Sequence, residues 1–336
     1  MFIFIPVLQA EKSTVKKYNC IELFSVGIDE AKSEKEELYQ FYTIANIDCD
    51  DDGNIYVLDY QARQVKEYDR DGIYIKTYFQ QGKGPNEVAN PFSISINPYT
   101  NHIFILQEFG YSLKEFDLEG NYVNNYLLPK QFFGPFYFLN KEEFVFMNSV
   151  PKVEPFNNFL IVNIIQRKIV KEFANTKINH VLNFRQKFAV NKYRHLWTCP
   201  GNEMKLMSFD LETGKKIEEI KIPGNYRENS VSNTNGSGNM TMVIPLIYNI
   251  AQPFFIDTQL FTLLIINEYK EINGKIEQFP TKCQRFIYQV NGSHFEKIAE
   301  LKDGGDMYYE TVFKNRLILS ANDPYAHFKV FEIKTQ

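Results

Sequence analysis

A run of acidic residues near position 50 is the most specific chemical motif in the sequence. Residues Asp48–Gly53 read D-C-D-D-D-G and Asp59 lies at the twelfth position, as in a calcium-binding loop. The residues after Gly53 are β-branched or aromatic and favour an extended strand, which would span about 16 Å from Asn54 to Asp59, too far for Asp59 to close a coordination sphere. We therefore interpret the motif as an Asp/Gly hairpin turn, with weak calcium binding as the alternative.

Other signatures of catalysis are absent from the sequence. The five histidines have no spacing typical of metal ligands. The four cysteines form no C-x-x-C pair, and we expect them to be small buried residues: Cys20, Cys49, Cys199 and Cys283. Gly82-Lys-Gly84-Pro85 superficially suggests a phosphate loop, but Pro85 lacks an amide and no helix follows. We expect no catalytic residue, no metal and no cofactor.

Composition narrows the functional classes. The chain has 336 residues, 37 basic against 41 acidic, and a net charge of -4, so no electrostatic footprint for nucleic acid is present. It carries 30 Phe and 21 Tyr, residue types that favour strands over helices. No segment is long and apolar enough to predict a transmembrane helix.

The N-terminus resembles the end of a secretory signal peptide. Residues 1–10 combine a short apolar run with a small residue, Ala10, where cleavage would occur, although a basic segment is missing. We interpret residues 1–19 as a lead that contains the remnant of such a signal, and we expect export to the periplasm or cell surface. The alternative is an apolar N-terminal strand in a cytoplasmic protein.

The sequence repeats itself. Gly53–Asp59 (GNIYVLD) matches Asn101–Gln107 (NHIFILQ), and Val65–Gly72 (VKEYDRDG) matches Leu113–Gly120 (LKEFDLEG), each pair at an offset of 48 residues. An apolar-polar-apolar triplet then recurs six times, beginning at Tyr68, Phe116, Val162, Phe209, Tyr288 and Phe331. The single long interval, from Phe209 to Tyr288, contains a Ser/Asn/Gly-rich stretch over 224–240 that we interpret as a surface insertion.

Each repeat unit predicts four short strands. In the first unit they are about Tyr42–Ile47, Asn54–Leu58, Val65–Asp69 and Ile73–Phe79, separated by Asp/Gly turns. Helical periodicity occurs only around Glu30–Tyr39. Six four-stranded antiparallel sheets bury their faces and edges when they pack radially, which predicts an all-β, six-bladed β-propeller spanning residues 20–336. The last unit lacks a fourth strand, so we expect Cys20–Val26 to complete that blade and close the ring.

The motifs resemble a known family. The run Asp-x-x-Gly-Asn-Ile-Tyr-Val-x-Asp at residues 50–59, the aromatic-Asp strand end and Gln81–Glu87 (QGKGPNE) are similar to NHL-type six-bladed β-propellers. More narrowly, the chain resembles the six-bladed propeller proteins of Bacteroidetes-like bacteria, mostly uncharacterised and many of them exported. The resemblance implies the fold and leaves the activity open, because propellers host unrelated functions.

One face of such a propeller is the expected ligand site. Connections between second and third strands and between blades share a face around the channel, and they carry these candidates: Tyr60, Arg63, Gln107, Glu108, Phe109, Tyr111, Asn202, Glu203, Asp323, Tyr325 and His327. Exposed aromatic side chains beside mixed charges suit a protein, peptide or glycan ligand. We therefore expect a monomeric, non-catalytic binding scaffold. The alternative is a lactonase-like hydrolase or lyase with a metal in the channel.

Overall fold

A computed structural model describes residues 16–132, 134–147, 157–175, 188–199, 204–223, 247–268, 271–272, 275–276, 282–301, 307–322 and 324–336. Within these ranges nearly all regular structure is β-strand. The helical periodicity near residue 34 yields a single turn, α1 (Glu34–Glu37), which begins where the Ser33 hydroxyl accepts a hydrogen bond from the Glu36 amide. None of the helices in the described part of the chain has the length and apolar character needed to cross a membrane.

The strands form six four-stranded antiparallel sheets, the blades, after a first strand β1 (Tyr18–Val26). Blade 1 contains β2 (Ile44–Cys49), β3 (Ile55–Asp59), β4 (Gln64–Tyr68) and β5 (Tyr74–Tyr78). A short parallel pair, β6 (Gln80–Gln81) and β7 (Glu87–Val88), leads to blade 2, which contains β8 (Ser93–Asn97), β9 (His102–Gln107), β10 (Ser112–Phe116) and β11 (Tyr122–Leu127). Blade 3 contains β12 (Phe136–Phe138), β13 (Glu143–Met147), β14 (Asn157–Asn163) and β15 (Lys168–Asn175).

Blade 4 contains β16 (Phe188–Val190), β17 (His195–Thr198), β18 (Lys205–Asp210) and β19 (Lys216–Lys221). Blade 5 contains β20 (Ile247–Ile256), β21 (Gln259–Glu268), β24 (Lys282–Asn291) and β25 (His294–Leu301), and a small pair, β22 (Glu271–Ile272) and β23 (Lys275–Ile276), lies between its middle strands. Blade 6 contains β26 (Tyr308–Phe313), β27 (Arg316–Ala321) and β28 (His327–Thr335). The predicted surface insertion at 224–240 lies outside the described residues, and β22 and β23 account for part of the same long interval.

The N-terminal strand closes the ring, as predicted. Strand β1 is the outermost strand of blade 6, and it pairs antiparallel with β28 from Tyr18 opposite Thr335 to Val26 opposite Phe328. Val26 is buried, and Phe24 packs with it against the first strands of blade 1. The predicted strand over Cys20–Val26 is therefore confirmed, and it begins two residues earlier, at Tyr18.

The first strand of each blade lies at the centre of the ring. Strand β2 contacts both β8 and β26, β8 contacts β12, and β20 contacts both β16 and β26. The predicted boundaries in blade 1 are shifted by one or two residues, most clearly at β2. The Asp59 carboxylate accepts hydrogen bonds from the amides of Tyr42 and Thr43, so these two residues belong to the connection before the strand.

The aromatic excess fills the spaces between blades. Tyr56 and Phe116 pack in one cluster shared by blades 1 and 2, while Phe104 and Phe138 pack in the next cluster, between blades 2 and 3, with their ring centroids 4.5 Å apart. All four side chains are almost completely buried. Burying one such side chain contributes roughly 1.5–3 kcal/mol to stability. The repeated aromatic side chains of blades 1 to 3 therefore pack in the spaces between neighbouring blades.

Candidate functional site

The propeller has two faces. The loop face carries the connections between second and third strands and those between blades, such as residues 60–63 and 79–92. The turn face carries the connections between first and second strands and between third and fourth strands, such as residues 50–54 and 69–73. The innermost strands run from one face to the other and surround the central channel.

The Asp-rich motif forms a hairpin turn on the turn face. Asp50 is buried, and its Oδ1 accepts hydrogen bonds from the amides of Asp52 and Asn54 at 3.0 and 2.9 Å. Its Oδ2 accepts further bonds from the Asn54 amide group and the Tyr56 hydroxyl. Asp59 lies at the far end of β3 and accepts backbone amides there. The carboxylates therefore stabilise the turn and the strand ends, as the turn interpretation predicted.

Three aromatic rings form a row on the loop face. The ring centroids of Tyr60 and Phe92 are 6.0 Å apart, and those of Phe92 and Phe109 are 6.1 Å apart. Tyr60 is 42% exposed and Phe109 is 58% exposed. We call Tyr60, Phe92 and Phe109 the aromatic row. Large exposed rings in contact with one another form a surface that suits an apolar group of a ligand.

Strained backbone presents Phe109 to solvent. Glu108 and Phe109 both have positive φ angles, 52° and 57°, which non-glycine residues rarely adopt. The Glu108 amide donates to the Ala89 carbonyl at 2.8 Å, and the Phe132 amide donates to the Gly110 carbonyl at 3.0 Å. These bonds tie the connection to its neighbours on both sides. Backbone strain of this kind persists only where surrounding structure enforces it, and it is concentrated at functional sites.

Several predicted loop-face residues are exposed or half-buried. Tyr111 is 51% exposed, and Arg63, Glu108 and Tyr325 are half-buried. Asn202, Glu203 and Asp323 lie outside the described residues. The sequence analysis did not include Phe92 or Tyr42, which is 63% exposed, although Phe92 lies one residue and Tyr42 two residues before a first strand. The 48-residue repeat already places these connections on the loop face, so both residues could have been predicted from the sequence.

Two of the predicted loop-face residues have buried side chains. Gln107 is 2% exposed; its Oε1 accepts the Ala89 amide and its amide group donates to the Ser112 hydroxyl. It is the repeat equivalent of Asp59, since 59 plus 48 gives 107, and both hold the connection before their blade. His327 is 4% exposed, and its Nδ1 lies 2.9 Å from the Tyr325 carbonyl oxygen. Both side chains contribute to the scaffold beneath the face.

Two buried lysines hold the connections that carry the loop-face residues. The Lys66 ammonium donates to the Glu37 and Gln40 carbonyls, both at 2.7 Å, and the Lys114 ammonium donates to the Gly84 and Glu87 carbonyls at 2.7 and 2.5 Å. Burial lowers the pKa of both side chains. Lys66 and Lys114 are the lysines of the Lys-Glu pairs in the repeated segments VKEYDRDG and LKEFDLEG. Each of them holds the connection that leads into its own blade.

The glutamate of the same repeated pair accepts hydrogen bonds in the interior. Glu67 accepts the hydroxyls of Tyr56 and Tyr78, the latter at 2.5 Å. In blade 2, the equivalent Glu115 accepts the Tyr126 hydroxyl and lies 2.7 Å from Nδ1 of His102. These carboxylates are acceptors for tyrosine hydroxyl groups in the interior, where buried polar groups need hydrogen-bond partners.

The Gly82-Lys-Gly84-Pro85 segment contains no free anion site. Its loop is filled by the Glu87 side chain, whose carboxylate accepts the Gly84 amide at 2.8 Å. A phosphate would compete with this carboxylate for the same amide. The segment connects β5 to β8, so its interpretation as a blade-to-blade connection is confirmed.

Cysteine chemistry is disfavoured at the positions whose side chains are described. Cys199 is buried, and Cys20 and Cys49 are half-buried. Burial raises the pKa of the Cys20 thiol to about 12, and burial next to Asp48 and Asp50 raises that of Cys49 well above its usual range. Thiols in such surroundings are poor nucleophiles at neutral pH.

The central channel contains a cavity of about 350 Å³ that the sequence analysis did not identify. Segments from all six blades line it, among them Asn46, Asp48, Tyr137, Asp257, Glu310 and Lys314. In the described part of the chain, no three His, Cys, Asp or Glu side chains are grouped closely enough to hold a metal ion.

Polar side chains in the channel wall join adjacent blades. Glu310 of blade 6 accepts the Ile47 amide of blade 1 at 3.2 Å, Asn46 of blade 1 accepts the Ile94 amide of blade 2 at 3.1 Å, and Asp48 accepts the Ile96 amide at 2.9 Å. These amides lie on the innermost strands, which have no further strand to pair with. The side chains therefore satisfy the open inner edges.

Asp48 has no free acceptor position. Its Oδ1 accepts the Cys49 amide and the Thr311 hydroxyl, and its Oδ2 accepts the Ser95 hydroxyl and the Ile96 amide. Burial raises the pKa of this carboxyl, and the four hydrogen bonds oppose that effect. The nearby Tyr137 has its pKa raised to about 12, mainly by burial and then by the electrostatic effects of Tyr99 and Asp48.

Comparison with known proteins agrees with this architecture. Residues 34–200 match the model of the DUF5128 family, described as a 6-bladed beta-propeller. The chain is a six-bladed β-propeller. Its resemblance to the six-bladed propeller proteins of Bacteroides-like bacteria is confirmed. Curated proteins give no match to the sequence.

Solved structures share the propeller fold at low sequence identity. A DUF4221 family member from Bacteroides vulgatus has a TM-score of 0.61 and 15% identity, over 96% of this chain and 98% of that one. A "Putative exported protein" from Bacteroides fragilis has a TM-score of 0.61 and 9% identity, over 94% and 95% of the two chains. Virginiamycin B lyase from Staphylococcus aureus has a TM-score of 0.46 and 11% identity, over 95% and 99%, which is too distant to compare sites.

Proposed function

We propose that this propeller is a non-catalytic binding scaffold whose loop face takes a protein or peptide ligand. The aromatic row of Tyr60, Phe92 and Phe109 carries the proposal, because it exposes contacting rings on connections that buried lysines and backbone hydrogen bonds hold in place. A preorganised aromatic surface costs little side-chain entropy on binding. A glycan is the alternative ligand, since sugars also stack on exposed rings.

The channel supports this choice over a metal-dependent hydrolase or lyase. Asp48 and Glu310, two acidic residues of the inner strands, already accept hydrogen bonds from the amides of neighbouring blades. A metal would have to displace those donors and so weaken the joints between blades. Elemental analysis of the purified protein tests this point, because stoichiometric calcium or zinc would favour the enzyme.

Selection from a displayed peptide library tests the ligand proposal. The double variant Tyr60→Ser/Phe109→Asn removes two rings of the aromatic row, and asparagine tolerates the positive φ at position 109. We expect peptides selected on the unchanged protein to bind this variant at least ~10-fold more weakly, as for the loss of a central aromatic contact. Ile75→Ser is the matched control, because Ile75 is 45% exposed on the outer strand β5, away from the loop face.

Selected peptides that bind the double variant and the unchanged protein equally would contradict the proposal. Binding on a glycan array that is lost in the double variant would retain the site and change the ligand class.

We further propose that the protein is exported and acts as a monomer. The apolar run at residues 1–10 supports export, and so does the Bacteroides fragilis protein of the same fold, whose name proposes export. Cell fractionation tests the location, and light scattering coupled to size exclusion tests the oligomeric state.

A further inference from the structure

The cavity in the channel is a second candidate site, separate from the aromatic row. Its volume of about 350 Å³ is within the range of pockets that hold small molecules. Segments from all six blades line it, so its wall belongs to the inner ring of the propeller. We propose that this cavity binds a small organic cation.

The charge of the described wall favours a cation. Three carboxylates line the cavity, Asp48, Asp257 and Glu310, against one ammonium, Lys314. The donors that hydrogen-bond to Asp48 are backbone amides and hydroxyls, and they hold its carboxyl group in the cavity wall. A concave site with walls of low dielectric strengthens such a field, so cations are attracted and anions are repelled.

Asp257 is the carboxylate that is available to a ligand. It is exposed at the turn between β20 and β21, and no hydrogen bond or ion pair to it is found among the described residues. The oxygens of Asp48, by contrast, are occupied by four donors. One available carboxylate suits a single ammonium group and is too few for a bare divalent metal, which requires several oxygen ligands.

Aromatic rings supply the remaining contacts. Tyr137 lies in the cavity wall and is 42% exposed, and Phe136, Phe188 and Phe255 line the same cavity. An ammonium group is attracted to the face of an aromatic ring as well as to a carboxylate. A negatively charged cavity with an exposed tyrosine ring therefore matches a primary or quaternary ammonium compound.

Calorimetric titration with tetramethylammonium chloride at low ionic strength tests the proposal, with uncharged tert-butanol and sodium acetate as comparison probes. We expect saturable binding of tetramethylammonium alone. Asp257→Asn should weaken it by ~2- to 5-fold and Tyr137→Leu by at least ~2-fold. Lys314→Gln should strengthen it by ~2-fold or more, because a like charge is removed.

Two turn-face variants provide matched controls. Asp51→Asn and Lys192→Gln make the same changes at exposed turn residues outside the cavity wall, and they should leave the affinity unchanged. Absence of saturable binding at about 10 mM tetramethylammonium would overturn the proposal. So would weaker binding in Lys314→Gln, or binding of tert-butanol or acetate with equal affinity. Both the site and the measurement are independent of the loop-face proposal.

Discussion

Replacing a buried lysine with methionine should destabilise the propeller and release one connection. Lys114 is 4% exposed, and its ammonium donates to the Gly84 and Glu87 carbonyls at 2.7 and 2.5 Å. Methionine keeps the apolar length of the side chain, so Lys114→Met removes the two hydrogen bonds and little packing.

The expected cost follows from these two bonds. A hydrogen bond to a charged group contributes about 1.5–3 kcal/mol, so two contribute about 3–6 kcal/mol. Removing a buried ammonium also relieves its desolvation, which is the main cause of the lowered pKa of Lys114. We therefore expect the free energy of unfolding to fall by about 2–4 kcal/mol.

Urea denaturation measures the global effect, and hydrogen exchange over residues 79–92 measures the local one. Lys66→Met should cause a similar loss of stability and a similar local release in the connection before blade 1, since Lys66 makes the equivalent pair of bonds to the Glu37 and Gln40 carbonyls. Lys76→Met is the control, because Lys76 is half-buried and donates to one carbonyl, that of Leu118, at 2.9 Å. A loss in Lys114→Met no larger than in Lys76→Met would refute the anchoring role.

Three further outcomes are expected. Deleting residues 1–27 removes β1 and should lower the melting temperature by more than ~5 °C in calorimetry; an unchanged value would contradict closure by this strand. Gly110→Ala should cost at least ~2 kcal/mol more in urea melts than Gly134→Ala, because both glycines have positive φ but only at Gly110 would the new methyl overlap a neighbour, the Phe132 carbonyl oxygen. The folded pKa of Tyr126 is raised to about 12, mainly by burial and then by its hydrogen bond to a carboxylate, so its contribution is complete below pH 10 and is lost as the pH rises towards 12. Tyr126→Phe should flatten that alkaline decline, and an identical decline in both proteins would disprove the assignment.

The architecture could be predicted because the sequence repeat is recognisable at a constant offset of 48 residues in the first two units. Turn residues such as Asp50 and Gly53, and aromatic positions such as Tyr56, recur at a fixed offset, and each acts locally or on the neighbouring blade. The same offset relates residues at the ends of the second strands. It aligns Gln107 with Asp59, whose place at a strand end predicts a buried acceptor of backbone amides rather than a surface contact.

The cavity could not be predicted because its residues share no pattern in the sequence. Asp48 and Tyr137 lie on the first strands of two blades, and Asp257 and Lys314 lie in the turns after the first strands of two others, but the residue types at these positions differ from blade to blade. Only closure of the ring brings them together. The amides at the inner edge also need hydrogen-bond acceptors that no sequence motif indicates. The Ile96 amide, for example, donates to Asp48 of the preceding blade.

The pairing of β1 with β28 determines how the ring responds to force. Tyr18 lies opposite Thr335, so a pull applied at these two ends acts across the strands and breaks the ladder one bond at a time. A pull applied at Gly27 and Thr335 would act along the strands and load many bonds together. The molecule should therefore open by unzipping at blade 6 under low tension in the first geometry, and resist as a shear joint in the second.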